Sequence, residues 1–87
     1  MITIYGTQNC TYCQKAKWIC RQYKLGFVYI PLDQESFPEH REEFKKLFPD
    51  AKTVPQILWD GRHIGGYNEL VAEIENLGLG NYGQGAF

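Results

Sequence analysis

Several features that assign a chain to a special class are missing from these 87 residues. No apolar run approaches the ~18 residues that a membrane-spanning helix needs. Ten acidic residues against nine lysines and arginines give a formal net charge of -1, which offers no attraction for nucleic acid or an anionic membrane surface. We therefore expect neither a nucleic-acid partner nor a membrane partner.

The sequence also lacks the marks of a secreted protein. Its first residues, Met1 to Tyr5, have neither the basic nor the long apolar region of a signal peptide. It holds only three cysteines, an odd number that does not suit the paired framework of small secreted domains. We expect a cytoplasmic protein that keeps its thiols reduced.

Length and composition indicate a single folded unit. A chain of 87 residues can bury one modest core but not two, and 44% hydrophobic and 15% aromatic residues exclude disorder for most of it. We expect one domain over residues 1–78, acting as a monomer, and a flexible tail over residues 79–87, which contain three glycines and no periodicity.

The feature that carries chemistry is the pair Cys10 and Cys13, which follows a strand pattern and begins a helical one. Thiols three residues apart in the first helical turn lie on one face and can close a disulfide. The positive end of the helix favours a thiolate at the first of them. Cys10 is therefore the predicted nucleophile, and Cys13 is the predicted resolving thiol that releases the product.

Two other roles for this pair are a half zinc site and two inert buried thiols. A zinc site needs two more ligands, and Cys20, His40 and His63 show no second paired spacing. Redox chemistry is the favoured interpretation, with no metal. Cys20 follows Cys13 by seven residues, about 10.5 Å along a helix, which is too far for a disulfide and indicates a packed core thiol.

Three helical patterns are visible. The first, over residues 11–23, has apolar positions that recur at helical spacing: Tyr12, Ala16, Ile19, Cys20 and Tyr23. The second begins with a capping box of Ser36 and Glu39 and ends near residue 48, with these residues predicted to point inward: Phe37, Phe44, Leu47 and Phe48. The third is predicted to be capped by Asn68 and stopped by Gly78, with these inward positions: Leu70, Val71, Ile74 and Leu77.

Four strands are predicted between these helices, at residues 2–5, 27–30, 56–59 and 62–64. A strand, a helix and a strand within about thirty residues form a βαβ unit, so the first two strands should be parallel. Asp60-Gly61 predicts a hairpin between the last two strands. Pro55 must stand at the entrance of the third strand because proline cannot donate to a sheet. The predicted class is α/β with the order β-α-β-α-β-β-α.

Three separated motifs, at residues 10–13, 53–55 and 65–68, resemble those of a dithiol glutaredoxin. The resemblance implies the thioredoxin fold, a four-stranded mixed sheet flanked by three helices, with a cis bond before Pro55. It also implies glutathione as the electron-donating co-substrate, with no bound cofactor. The residues implied to bind glutathione are Tyr12, Arg41, Lys52, Thr53, Val54, Pro55, Gly66, Tyr67, Asn68 and Glu69.

The sequence departs from the family pattern at two positions. Many glutaredoxins have a lysine where this chain has Thr7, so Lys52 and Arg41 would have to supply the missing positive charge. Asn68 stands where an aspartate is frequent, which leaves Glu69 as the nearby acid for the glutathione amino group. The affinity for glutathione is therefore expected to be weaker or differently tuned.

The resemblance implies an enzyme, a glutathione-dependent thiol–disulfide oxidoreductase that reduces protein disulfides and glutathione mixed disulfides. Ribonucleotide reductase is the best-known client of the family, although no residue here singles it out. One alternative is a redoxin reduced by thioredoxin reductase, but such proteins typically lack the glycine-rich motif at residues 65–68. A second is an iron–sulfur carrier in which Cys10 of two subunits and two glutathiones hold a cluster.

Overall fold

The computed structural model describes residues 1–33 and 38–78, and there it contains four strands and three helices in the predicted order. The strands are β1 (Ile2–Gly6), β2 (Phe27–Pro31), β3 (Gln56–Trp59) and β4 (Arg62–Gly65), and the helices are α1 (Thr11–Gln22), α2 (Pro38–Leu47) and α3 (Tyr67–Asn76). The predictions for Ser36, Phe37 and the tail at residues 79–87 lie outside the described residues. No described helix is long and apolar enough to cross a membrane.

The strands form one mixed sheet in the order β2-β1-β3-β4. Strand β1 runs parallel to β2, as the βαβ unit predicted, and antiparallel to β3. Strands β3 and β4 are antiparallel, as the hairpin predicted. The hairpin turns at Asp60 and Gly61, both with positive φ, of 52° and 83°. Because β1 and β2 end at the same edge of the sheet, the loop into α1 begins there, and this places the cysteine pair.

The two faces of the sheet bury two clusters, because successive side chains of a strand point to opposite faces. Ile2 and Ile4 of β1 pack with buried residues of α1 and α3. Tyr5 points to the other face, where its ring centroid lies 5.8 Å from that of Phe44 and 5.5 Å from that of Phe48. The helices therefore flank the sheet as predicted, and Cys20 is a fully buried thiol of the first cluster.

Two predicted core positions are wrong. Leu47 is 48% exposed and Leu77 is 56% exposed, whereas the neighbouring predicted core residues Phe48 and Ile74 are buried. Leu47 is the last residue of α2, and Leu77 lies just beyond the end of α3. Helical periodicity places a side chain on a face only while the helix continues over packed residues, so it is least informative at these ends.

The predicted cap of the third helix is also wrong. Helix α3 begins at Tyr67 with Gly66 as its cap, so Asn68 lies in the first turn. The Glu69 carboxylate accepts a hydrogen bond from the Gly66 N–H at 2.7 Å and supplies the capping contact. The helix can begin earlier than predicted because Gly65, with a φ of 116°, turns the chain in a conformation that side chains disfavour.

Candidate active site

Cys10 stands at the boundary between the loop after β1 and helix α1, where it is the N-cap residue. Its backbone is extended, and its Sγ accepts a hydrogen bond from the Cys13 N–H at 3.2 Å. The first N–H groups of a helix have no partner within it, so this sulfur fills a position that favours an acceptor. A donor aimed at the sulfur stabilises negative charge there, as a thiolate nucleophile requires.

Cys13 meets a different environment one turn later. It is fully buried, and burial together with the neighbouring Cys10 sulfur raises the pKa of the Cys13 thiol to about 11. Contacts with the Thr7 backbone and the Tyr29 hydroxyl oppose this rise in pKa. At neutral pH Cys13 is therefore a protonated thiol held against the sulfur of Cys10, which suits a group that acts second.

Gly6 and Tyr29 shape the space around Cys13. The Tyr29 hydroxyl donates a hydrogen bond to the Thr7 carbonyl at 2.9 Å. A Cβ added to Gly6 would stand 2.5 Å from the Tyr29 oxygen and 2.7 Å from the Cys13 sulfur, so a side chain does not fit. The sequence does not indicate this role for Gly6 or Tyr29, because neither residue belongs to a recognisable motif.

An open groove of about 340 Å³ lies beside Cys10. Its lining consists of one residue of α1, the segment before β3 and the start of α3: Tyr12, Thr53, Val54, Pro55, Gly66, Tyr67, Asn68 and Glu69. The bond between Val54 and Pro55 is cis, as predicted. The Val54 carbonyl lies 3.6 Å from the Cys10 sulfur and joins the groove to the thiol.

Aromatic rings form one wall of this groove. The centroids of Tyr12 and Tyr67 are 5.8 Å apart, and the ammonium of Lys15 stands 4.9 Å from the Tyr12 centroid. Tyr12 is 53% exposed, so it borders the groove rather than joining the core with Ala16, Ile19 and Cys20 of the same helix. These two aromatic rings offer apolar contact to a ligand and leave the groove open.

Two predicted glutathione contacts, Lys52 and Arg41, do not line this groove. Lys52 borders a second cleft of about 490 Å³, which shares only Thr53 with the groove beside Cys10. Arg41 donates from Nε to the Leu32 carbonyl at 2.5 Å. The second cleft is larger, but the smaller groove contains Val54, whose carbonyl lies beside the Cys10 sulfur, so we place the chemistry at the smaller groove. The structure thus brings eight of the ten predicted residues together.

The arrangement suits exchange between a thiol and a disulfide. An accessible sulfur at a helix N-terminus can attack a disulfide, and a buried thiol in contact with it can attack the mixed disulfide that results. No group of three or more possible metal ligands occurs among residues 1–33 and 38–78.

Comparison with known proteins agrees with this chemistry. The family model named glutaredoxin matches residues 2–64. The chain is 37% identical over 71 residues to glutaredoxin 3 of Escherichia coli, which covers 82% of each protein. It is also 39% identical over 70 residues to glutaredoxin 1 of Rickettsia felis, covering 79% of this chain and 67% of that one.

Solved structures agree as well. The buckwheat glutaredoxin–glutathione complex superposes with a TM-score of 0.71 at 28% identity, over 90% of this chain and 70% of that one. Glutaredoxin 1 of Francisella tularensis, complexed with cacodylate, gives a TM-score of 0.71 at 29% identity, over 87% and 93% of the two chains. The chain therefore belongs to the glutaredoxin family of thioredoxin-fold proteins and is a thiol–disulfide oxidoreductase.

Proposed function

We propose that this protein is a dithiol glutaredoxin that reduces protein disulfides and glutathione mixed disulfides, with glutathione as the electron donor. The observation that carries the proposal is the groove formed by Tyr12, residues 53–55 and the start of α3, in which the Val54 carbonyl lies beside the Cys10 sulfur. A groove beside a nucleophilic sulfur can hold the rest of a thiol substrate while the two sulfurs exchange.

The backbone of Val54 suits an extended peptide. Within the described residues no hydrogen bond uses the Val54 N–H, and its carbonyl has only the Cys10 thiol as a partner. An unpaired stretch of backbone can bind an extended ligand as an added strand. Glutathione is a short peptide with its thiol in the middle, so pairing with Val54 would place its sulfur against Cys10. The buckwheat relative is a glutaredoxin–glutathione complex, which supports this ligand.

The far end of the groove suits a carboxylate. Helix α3 begins at Tyr67, and Asn68 lies in its first turn. The free N–H groups and the positive end of a helix attract anions. We therefore propose that the start of α3 binds a carboxylate of glutathione. Glu69 caps this helix, so it serves the glutathione amino group only with its remaining acceptor capacity.

The proposed reaction uses the two thiols in turn. Cys10 attacks a client disulfide as the thiolate, forms a mixed disulfide and releases the first client thiolate, which takes up a proton. Cys13 loses its proton and attacks the Cys10 sulfur, which breaks the mixed disulfide and releases the second client thiol. Two glutathiones then reduce the resulting Cys10–Cys13 disulfide and leave as glutathione disulfide.

We further propose that the protein works in the cytoplasm, where a reduced glutathione pool is available, and that it acts as a monomer. Its clients would be proteins with accessible disulfides, and ribonucleotide reductase is one candidate. Because the groove is open rather than enclosed, it can admit a segment of a client protein as well as glutathione.

The electron source can be tested directly by coupling the protein to two reducing systems. We expect rapid reduction of a glutathione mixed disulfide with glutathione and glutathione reductase, and little with thioredoxin and thioredoxin reductase or with that reductase alone. Efficient turnover with thioredoxin reductase and none with glutathione would overturn the proposal and favour the alternative of a thioredoxin-reductase-coupled redoxin.

A further inference from the structure

The hydroxyl group of Tyr29 lies near the Cys13 sulfur. The Tyr29 hydroxyl comes from the central part of β2 and reaches the space between Gly6, Thr7 and the Cys13 sulfur. One point, the position of a Cβ on Gly6, lies within 2.5 Å of this oxygen and 2.7 Å of the sulfur. A hydroxyl therefore lies close to a thiol that is fully buried.

We infer that Tyr29 donates a hydrogen bond to the Cys13 thiolate whenever this sulfur attacks the mixed disulfide or leaves the internal disulfide. The inference rests on the proposed dithiol function, because only that function requires Cys13 to carry negative charge. In the reduced protein the same hydroxyl donates to the Thr7 carbonyl at 2.9 Å, and a small rotation about its C–O bond redirects the proton to the sulfur.

A buried thiolate needs such a donor. Removing a charged group from water without a partner costs a great deal of free energy, which is why burial raises the pKa of the Cys13 thiol. The Tyr29 hydroxyl works in the opposite direction and lowers the pKa of Cys13. Tyr29 does not line the open groove, and the Cys13 sulfur near it is fully buried.

Tyr29 itself keeps its proton throughout. Burial, and next the neighbouring Cys13 sulfur, hold the pKa of the Tyr29 hydroxyl well above its usual range. The charged groups around it are the ammonium of Lys17, 4.2 Å from the centre of its ring, and the carboxylate of Asp33 beyond the end of β2. Tyr29 is therefore a donor to the thiolate and not a base that accepts the thiol proton.

The proton and electron balance of the step is simple. The Cys13 thiol proton leaves by way of the departing client thiolate or solvent, and the Cys13 sulfur bonds to the Cys10 sulfur as the bond from Cys10 to the client sulfur breaks. In this step the Cys13 sulfur loses one electron and the client sulfur gains one, while Cys10 remains in a disulfide. Over both steps the two cysteines lose two electrons and the two client sulfurs gain them. In the reverse direction, glutathione attacks Cys10 and Cys13 leaves as the thiolate that Tyr29 stabilises.

The size of the effect follows from two opposing factors. A hydrogen bond to a charged group shifts an equilibrium by about ten- to a hundredfold, which raises the fraction of Cys13 thiolate. A less basic thiolate is also a weaker nucleophile, with a Brønsted coefficient of about 0.4–0.5, and this cancels roughly half of the gain on a logarithmic scale. Replacing Tyr29 by phenylalanine should therefore slow the Cys13 step by about three- to tenfold.

The test is the rate at which glutathione reduces the internal disulfide of Tyr29→Phe, measured in single turnover. Cys13 is the leaving group in this reaction, and a Cys13 thiolate without the hydrogen bond leaves more slowly, so we expect the rate to be about three- to tenfold lower than in the unaltered protein. The equilibrium between protein and glutathione should be unchanged at pH 7, because Cys13 is then a protonated thiol in both proteins. Tyr23→Phe is the matched control, since Tyr23 caps the end of α1 ten residues after Cys13 and its replacement should leave the rate unchanged.

A second pair of variants separates this role from a structural one. Tyr29→Phe in a Cys13→Ser background should reduce glutathione mixed disulfides as fast as Cys13→Ser alone, because the step that needs the hydrogen bond is then absent. Equal slowing in that background would overturn the inference and show that Tyr29 only holds the Thr7 loop.

Two other outcomes have different meanings. Full speed in Tyr29→Phe overturns the inference, and the proposed function survives if Cys13→Ser still loses activity only on protein disulfides. If Cys13→Ser instead loses activity equally on both substrates, Cys13 does not resolve, and the inference and the dithiol function both fail.

Discussion

Cys10 and Cys13 are three residues apart on one helix, yet they lie in opposite environments. Cys10 is half buried at the start of α1, with an N–H donor at its sulfur and an open groove beside it. Cys13 is fully buried in the first turn of α1, close to Gly6 of β1 and Tyr29 of β2. The comparison shows that one helical turn can separate an accessible thiol, which can react with the substrate, from a buried thiol, which can react only with the other cysteine.

The two environments are formed by different parts of the chain. The position of Cys10 is largely local, since a helix N-terminus needs only the residues around it. The position of Cys13 depends on β2, because Tyr29 reaches it from a strand that begins after α1 ends. The nucleophile could therefore be predicted from its motif, whereas the surroundings of the resolving thiol required the folded chain.

The largest expected effect comes from removing the accessible thiol, Cys10. Cys10→Ser should lower the activity on every disulfide substrate by at least about a hundredfold, because no other accessible thiol can form the mixed disulfide. Cys20→Ala is the matched control, since Cys20 is buried in the core and should be dispensable for activity. Assays with a protein disulfide and with a glutathione mixed disulfide check both, and substantial activity of Cys10→Ser would contradict the assignment.

Alkylation with iodoacetamide, followed by mass spectrometry, compares the thiols directly. Burial raises the pKa of Cys13 and that of Cys20 to about 11, so at pH 7 only about one in ten thousand of either is a thiolate. Cys10 should be labelled first, and Cys13, followed in Cys10→Ser, should be labelled at least about a hundredfold more slowly.

The pH dependence of this labelling has a definite sign. A thiol with a raised pKa gains thiolate as the pH rises, so labelling of Cys13 and Cys20 should increase about tenfold per pH unit and level off near pH 11. Labelling of Cys13 as fast as that of Cys10 at pH 7 would show that the two environments do not differ as described.

A smaller effect is expected from filling the space at Gly6. Gly6→Ala would push its Cβ against the Tyr29 hydroxyl and the Cys13 sulfur, and overpacking of this kind costs about 1–3 kcal/mol of unfolding free energy. Gly26→Ala is the control, because a Cβ there would meet only Met1 atoms at 3.7 Å. Urea denaturation measures both variants.

A double variant locates the clash at Gly6. Tyr29→Phe removes the oxygen that lies 2.5 Å from the new Cβ, so Gly6→Ala should cost less in that background than in the unaltered protein. Strictly additive losses would place the strain elsewhere and would weaken the picture of a tightly filled space around Cys13.

The smallest expected effect concerns the charges beyond the groove. Lys52 is exposed and adjoins Thr53 at the edge of the groove, so Lys52→Ala should raise the Michaelis constant for glutathione by a factor of about two to five, and less at high salt. Arg41→Ala should change it less, because Arg41 already donates to the Leu32 carbonyl. Steady-state kinetics at two salt concentrations checks this order, and a larger effect of Arg41→Ala would reverse it.

Much of the fold could be predicted because its signals are local. The βαβ unit, the Asp60-Gly61 hairpin and the cis bond before Pro55 all depend on short segments, or on a motif of a known family. The predictions for Leu47, Leu77 and the Asn68 cap were wrong, because each concerns the end of a helix. Helix ends depend on where tertiary packing stops, and periodicity does not contain that information.

The site residues also divide into those that could be predicted from the sequence and those that could not. Eight of the ten predicted glutathione residues share one groove, since they belong to motifs that the fold places together. Gly6 and Tyr29 could not be found from the sequence, because their importance comes from a close approach between β1, β2 and α1. The only local indication in the sequence is Gly6 itself, a glycine at the end of a strand and one loop before the cysteine pair.

The central claim, that two unlike thiols act in sequence, is tested most directly by the two substrates of Cys13→Ser. The claim predicts that this variant keeps most of its activity on a small glutathione mixed disulfide, because Cys10 and a second glutathione suffice there. It also predicts loss of most of the activity on a protein disulfide, whose release needs the resolving thiol. Equal loss on both substrates would contradict the claim and assign Cys13 a structural role.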